Sequence, residues 1–373
     1  MSSPLFFVIV PAMAGFAAAF VAAPAWGRCL RGHGWIDTPR PERHAERSVS
    51  RAGGAAWLTG LLAGMAAGIV AATGALGGWS RLGARDPSGA TATWMSDRFP
   101  VALASSGIVG LVAVLAFVLG RLDDRDLLSP GRKWILQVAL LGAGTAGLCW
   151  ASGSPGRFSG VGSGAASADP VGHLLLLAVV FVAAAILQVA LEILDHLDGL
   201  LAVYAMAGAA ALALAAAPGW ARDAGLAACG ASLGFLCWNR PPARLYFGNA
   251  GSLAVATVLP LLLIALAMRV AGGISPGFGL APEARRAASG GANGLEGVSP
   301  WHFLAILPVF AWPLLDLAVV TRARLRRGDP PWKGGRDHLA HRVARRLGSD
   351  RASFAVGAVA AAAGFLLAAK GLR

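Results

Sequence analysis

Long runs of apolar residues, separated by short charged segments, are the main pattern along this 373-residue chain. A helix of about 20 apolar residues crosses a hydrocarbon core roughly 30 Å thick, whereas an open strand there would leave its backbone groups unpaired. The pattern therefore predicts an all-α, polytopic membrane protein with about ten transmembrane helices. We place the spans near residues 4–26, 53–77, 100–120, 134–152, 171–194, 198–217, 223–238, 250–271, 301–321 and 353–371.

The composition supports a single integral membrane domain over residues 1–373. Hydrophobic residues make up 56% of the chain and charged residues only 14%, which excludes an ordinary soluble domain. The first basic residue, Arg28, follows the first apolar run, so we expect a retained first span and not a cleaved signal peptide. The four cysteines have no CxxC spacing, so neither a disulfide framework nor a zinc site is indicated.

Basic residues predict the orientation of the spans. Of the 32 Lys and Arg residues, 22 lie in loops 28–52, 121–133, 195–197, 239–249 and 322–352. The positive-inside rule then places these loops in the cytoplasm and both termini outside. The net charge of +13 therefore reflects mainly the orientation of the spans. Attraction to anionic membrane lipid is a secondary interpretation, and we expect no nucleic-acid partner. External loops 78–99 and 272–299 are rich in small and polar residues and are expected to be flexible connectors.

Acidic residues gather at the ends of the apolar runs on that predicted cytoplasmic side. Glu192 and Asp195 have i, i+3 helical spacing, and Asp198 follows closely. Carboxylates this close need a cation, a basic partner or a raised pKa, unless they only end helices in water. Asp123 and Asp124 form an adjacent pair that can divide its work between a divalent metal and a proton or phosphate acceptor. A solvated helix cap is the alternative interpretation of that pair.

The loop at residues 239–252 has the features of a phosphate and base site. Its glycines and the following helix N-terminus offer backbone N–H groups to a phosphate. Tyr246 or Phe247 is suited to stacking on a base.

The last basic loop contains Arg322 and the sequence Asp337-His338-Leu-Ala-His341-Arg342. Histidines beside arginines can bind diphosphate oxygens. The same two histidines could also ligate a metal or belong to a polar helix face.

In their order along the chain, these segments resemble the polyprenyl-phosphate N-acetylhexosamine-1-phosphate transferases, the superfamily of the bacterial MraY, WecA and TagO enzymes. The similarity covers most of the chain. The final segment is similar to the DRxHLHHRL element of the WecA/TagO branch and lacks the HHHFE-type run of the MraY branch. The matching segments are Gly34–Pro39 with Arg51–Gly54, the pair Asp123-Asp124, Asp195–Leu200 (DGxDGL), Asn239–Ser252 (NxPPA…GDxGS) and Asp337–Arg342.

The resemblance implies a reaction and its partners. A sugar-1-phosphate, of the GlcNAc-1-phosphate type, would pass from a UDP-amino sugar to polyprenyl (undecaprenyl) phosphate, and UMP would be released. The site would face the cytoplasm from a bacterial inner membrane, in cell-wall or surface-polysaccharide synthesis. The resemblance also implies Mg²⁺ or Mn²⁺ as cofactor and a homodimer. Transfer of this kind depends on charge neutralisation and alignment, which a divalent metal and basic side chains supply.

The resemblance also assigns roles to individual residues. Asp123 would activate or orient the lipid phosphate, and Asp124 would belong to the metal and phosphate site. The remaining roles are nucleotide binding by Asp195 and Asp198, uracil stacking by Tyr246 with support from Asn239, and phosphate binding by Lys133, Arg322, His338 and His341.

The metal site departs from the family pattern. Asn249 stands where the family has the Asp that binds Mg²⁺, and Glu192 stands where it usually has Asn. We therefore expect Asp124, Asn249 and Glu192 to form a rearranged metal site in a divergent but active enzyme. Three further departures are His196 for the first Gly of DGxDGL, Val189 for an upstream Asn and Ala340 for one His.

Three other classes of protein fit the sequence less well. Loss of a metal ligand is also typical of a non-catalytic relative that binds lipid phosphate or a partner enzyme. A transporter fits less well, because the charges lie at one boundary instead of near the membrane midplane, and the chain has no clear internal repeat. A CDP-alcohol phosphotransferase is disfavoured because Asp198-Gly199 lacks the continuation of that motif.

Overall fold

The computed structural model describes residues 4–37, 48–82, 99–151, 170–216, 218–270 and 301–372. All of the predicted 272–299 loop and most of the 78–99 loop lie outside these ranges, as do Thr38 and Pro39 of the first-loop motif.

The described chain is almost entirely helical, so the predicted all-α class is confirmed. A 3₁₀ turn, Leu307–Phe310, joins α9 to α10, and strands β1 (Ile36–Asp37) and β2 (Val49–Ser50) form a short antiparallel pair. The helices are α1 Pro4–Arg31, α2 Gly53–Leu82, α3 Phe99–Asp123, α4 Pro130–Ala151, α5 Pro170–Glu192, α6 Leu200–Ala215, α7 Trp220–Asn239, α8 Gly248–Val270, α9 Trp301–Ile306, α10 Ala311–Arg326, α11 Leu339–Leu347 and α12 Asp350–Gly371.

Among the described residues, eight helical segments are long and apolar enough to cross a membrane, which indicates a multi-pass membrane protein. Two of the ten predicted spans fall outside this set. The span at 198–217 is the 16-residue helix α6, which at 1.5 Å per residue is only about 24 Å long. The span at 223–238 is α7, whose first turn carries Asp223 beside Arg222.

Helix α8 is the centre of the bundle. Its residues 250–268 are all buried, and α8 packs against α2, α3, α4, α5 and α6. A helix that is apolar on every side can face lipid or protein, and α8 is enclosed by other helices of the bundle. The N-terminus of α8 therefore lies at a fixed place inside the bundle, and that end is where the charged residues gather.

Close approach of α3 to this end of α8 requires a glycine. A Cβ atom at Gly120 would lie 2.1 Å from the backbone oxygen of Asn249. We expect Gly120→Ala to destabilise the protein by about 1–3 kcal/mol, the usual cost of overpacking, and to lower its thermal unfolding midpoint by several degrees. Gly107→Ala, in the same helix, is the control because a Cβ there meets no heavy atom within 4 Å. Equal unfolding midpoints for the two variants in detergent would contradict the tight α3–α8 contact.

Candidate active site

Five separate parts of the chain enclose one cavity of about 610 Å³ at the charged end of the bundle. Backbone hydrogen bonds join two of these parts, since Tyr246 N donates to Ser50 O at 2.9 Å and Gly53 N donates to Tyr246 O at 2.9 Å. The lining residues are Asp37, Arg51, Asp124, Glu192, Ile193, residues 195–198, Asn239, Tyr246, Gly248, Asn249, Gly334, Gly335, His338 and His341.

Asp124 is held at the N-terminus of α8. Its Oδ1 accepts the backbone N–H of Asn249 at 3.2 Å, and its Oδ2 accepts the N–H of Ala250 at 3.3 Å. These N–H groups have no partner within the helix, and the helix dipole there favours negative charge. Burial raises the pKa of Asp124 above its ordinary value, while Arg51 and the two N–H groups oppose the rise.

Arg51 links the first-loop motif to Asp124. Its Nη1 lies 3.3 Å from Asp124 Oδ1, and its Nη2 lies 2.5 Å from Oδ1 of the buried Asp37. The sequence placed Asp37 and Arg51 in a motif but gave neither a role in the site. A role in the site could have been inferred from their position, because both are charged residues in a motif that precedes an apolar run.

A chain of polar contacts joins the two residues that depart from the family's metal site. Lys133 Nζ lies 2.6 Å from Asp123 Oδ2 and also contacts Glu192 Oε1. Asn249 Nδ2 donates to the same Asp123 oxygen at 2.7 Å, and Gln137 donates to Glu192. Glu192 and Asn249 are therefore connected through Lys133 and Asp123.

The donor atoms around the cavity fit a hard divalent cation. Mg²⁺ prefers carboxylate, amide and backbone oxygens, and the cavity is lined by Asp124, Glu192, Asp195 and Asn249. Because Asn249 donates its Nδ2 hydrogen to Asp123, its Oδ1 is the atom suited to a metal. The carboxylates already accept hydrogen bonds, but each has about four lone-pair sites and can bind a cation as well.

Asn239 and Asp198 fix the loop that carries Tyr246. The buried Asn239 accepts the N–H of Gly199 at 3.0 Å and donates to Leu245 O at 2.8 Å. Asp198 Oδ2 accepts the N–H of Ala243 at 2.8 Å. Asp195, Asp198, Asn239 and Tyr246 all line the cavity. The hydrogen bonds of Asn239 and Asp198 to backbone atoms hold the loop in place.

Three histidines meet at the same cavity. The ring of His196 stacks on His338 with centroids 4.1 Å apart and lies 4.8 Å from the ring of His341. His338 Nδ1 lies 3.0 Å from Oδ2 of the fully buried Asp316, whose Oδ1 accepts the N–H of Leu339. Removal from water, with His338 beside it, lowers the pKa of His196 to about 3, so this imidazole is neutral near pH 7.

Sequence reasoning gave no role to His196 or Asp316. His196 was visible as a departure from the glycine of DGxDGL, and Asp316 as one of the acidic residues that mark the ends of apolar runs. Their contacts depend on the packing of segments far apart in the chain.

Asp337 and Arg322, two charged residues near the histidines in sequence, do not line the cavity. Asp337 accepts two hydrogen bonds from Arg324 and one from Arg327, and these bonds hold its pKa below the ordinary range against partial burial. Arg322 does not line the 610 Å³ cavity. It lies in a separate surface depression of about 720 Å³ on α10.

The sequence model of Glycosyl transferase family 4 matches residues 106–267. That range contains Asp123-Asp124, Asp195–Asp198 and the loop 239–252, three of the segments that meet at the cavity. The match supports the superfamily that the motifs resemble and indicates a transferase of the sugar-phosphate type. Members of the family use polyprenyl phosphate and UDP-sugars. No curated protein matches the chain.

Proposed function

We propose that this protein transfers an N-acetylhexosamine 1-phosphate, of the GlcNAc type, from a UDP-sugar to undecaprenyl or a related polyprenyl phosphate and releases UMP. The proposal includes a WecA/TagO-like activity at the cytoplasmic face of a bacterial inner membrane. The observation that carries it is the convergence of Asp123, Asp124, Lys133 and the α8 N-terminus beside one cavity at the end of a membrane bundle.

The reaction exchanges one phosphorus–oxygen bond for another. An oxygen of the lipid phosphate attacks the phosphorus that carries the sugar, and the bond from that phosphorus to the UMP oxygen breaks. The products are a lipid diphosphate sugar and UMP, and negative charge accumulates on the transferred group. Protein cations and backbone dipoles positioned in advance lower the barrier to such a step.

The described residues can perform this task at defined places. Lys133, held between Asp123 and Glu192, presents an ammonium group to phosphate oxygens. Asp123 accepts the proton of a monoanionic lipid phosphate, whose second pKa is about 6 as in other phosphate monoesters. Mg²⁺ or Mn²⁺, when bound by Asp124, Asn249 and Glu192, would supply further charge neutralisation.

The nucleotide would bind on the other part of the same wall. Tyr246 is the candidate for stacking on uracil, and Asp195 and Asp198 lie beside it on the cavity wall. His338 and His341 face the same cavity and are candidates for the diphosphate. Arg322, which lies outside the cavity, stays a prediction for lipid-phosphate binding.

The test is UMP release by the purified protein in detergent with Mg²⁺ or Mn²⁺, a polyprenyl phosphate and a set of labelled UDP-sugars. We expect UMP and a labelled lipid product with at least one UDP-amino sugar, and neither when the lipid or the metal is omitted. No UMP with any donor would contradict the proposal. Donor binding without turnover would instead favour a non-catalytic relative, the alternative raised by Asn249.

A further inference from the structure

His196, Asp316 and His338 form a compact group with the atoms of a transition-metal site. One ring nitrogen of each histidine and one carboxylate oxygen of Asp316 all lie within 4.8 Å of one another. They come from the loop after α5, from α10 and from the residue before α11. Nitrogen and oxygen donors from three separate segments thus meet in one group, and its two histidines line the 610 Å³ cavity.

The hydrogen bonds of the two histidines leave one nitrogen of each directed elsewhere. His196 Nδ1 lies 2.5 Å from Ile193 O, and His338 Nδ1 lies 3.0 Å from Asp316 Oδ2. Oxygen acceptors at Nδ1 fix the tautomer that carries hydrogen there and leave the Nε2 lone pair available. Metal-binding histidines are held in this way, by a carboxylate or a backbone carbonyl at the second ring nitrogen.

His196 Nε2 is shielded from solvent and has no hydrogen-bond partner among the described residues. A buried polar atom without a hydrogen bond destabilises the folded protein. A metal ion would satisfy the lone pair, whereas stacking of the His196 ring on the His338 ring does not.

We propose that His196 and His338, with Asp316 orienting His338, bind a divalent transition metal of the Zn²⁺ class. Zinc–nitrogen bonds are about 2.0–2.1 Å, so two nitrogen ligands of one ion lie within about 4 Å of each other. The rings of His196 and His338 are stacked with centroids 4.1 Å apart, so a small rearrangement can bring their nitrogens to one ion. Imidazole ligands favour Zn²⁺, Co²⁺ or Ni²⁺ over Mg²⁺. The remaining coordination positions face the cavity, where water or a phosphate oxygen completes the site.

The site depends on a departure from the family pattern, because His196 stands at the first glycine position of DGxDGL. It does not require that the protein be a transferase. A metal here and a metal at the Asp124 side would differ in donor type, and that difference makes them separable by experiment.

The test is titration of the metal-stripped, untagged protein in detergent with Co²⁺, followed by its visible absorption. We expect about one Co²⁺ per chain, displaced by Zn²⁺ but not by excess Mg²⁺. His196→Gly and His196→Ala should abolish the signal, and Asp316→Asn should weaken binding about 10- to 100-fold. His33→Ala, which removes an exposed histidine at the end of α1, should bind like the wild type.

Wild-type Co²⁺ binding by both His196 variants would overturn the proposal, as would displacement of Co²⁺ by Mg²⁺ at equal concentration. If Asp316→Asn does not fold, the loop variants at His196 still decide the question. The readout is metal binding alone, so its failure is distinguishable from failure to release UMP.

Discussion

Replacing Asp124 by Asn is expected to lower the rate of UMP release by about 10³-fold, at the upper end of what loss of one preorganised charged group costs. Asp124 accepts hydrogen bonds from Arg51 and from two N–H groups of α8. The amide of Asn keeps the size of the side chain but removes its charge. It also presents an NH₂ group or a weaker acceptor to those donors. We expect a higher Mg²⁺ concentration for half-maximal rate as a second effect.

The matched control for this variant is Asp126→Asn, two residues along the same turn. Asp126 is exposed and has a φ of 55°, a left-handed conformation that Asn adopts as readily as Asp. We expect its rate to stay within about twofold of the wild type, since an exposed carboxylate contributes little. Equal losses in the two variants would mean that Asp124 acts only through the general charge of this loop.

The helices were predictable because the signal for each is local. A run of about 20 apolar residues specifies a span wherever its neighbours lie, and eight of the predicted spans coincide with membrane-length helices. Helix α6 was harder, because its apolar run continues past Ala215 in sequence whereas the helix ends there. The burial of the whole of α8 could not be read from its sequence, because lipid and protein are similarly apolar surroundings.

The site was predictable only in part, because its contacts join residues far apart in the chain. The motifs identified Asp123, Asp124 and Lys133, but the partnership of Arg51 with Asp124 arises from packing across 73 positions. Helix phase explains the position of Arg322. Residues two apart on a helix point about 200° apart, so Arg324 binds Asp337 while Arg322 lies in the depression on another part of α10.

The pair of departures at positions 192 and 249 yields the second prediction with a large effect. Glu192→Gln alone is expected to lower the rate of UMP release about 10³-fold, to a level that is still measurable, because Lys133 would lose one of its two carboxylate partners. Asn249→Asp alone is expected to lower the rate about 10²-fold. The new carboxylate would face Asp123 Oδ2 at the place where the amide now donates at 2.7 Å, and like charges at that distance repel strongly.

The double variant Glu192→Gln with Asn249→Asp tests whether the two substitutions lower the rate independently or compensate for each other. It keeps the total charge of the site and moves the carboxylate to the position that the family uses. If Glu192 compensates for Asn249, the double variant should exceed the product of the two single rates by at least about tenfold, a coupling of about 1.4 kcal/mol. The contacts through Lys133 and Asp123 provide the path for that coupling.

The measurement is kcat/KM for UMP release in the wild type, both single variants and the double variant, with unfolding midpoints recorded for each. Asp126→Asn combined with Asn249→Asp is the control cycle and should be additive, because Asp126 is exposed and has no described ion pair with this network. Strict additivity in the Glu192 cycle would remove Glu192 from the metal site and leave it as a partner of Lys133. A higher rate than additivity predicts, seen in the Glu192 cycle but not in the control cycle, would support charge compensation. The carboxylate of Glu192 would then replace the one that the family has at position 249.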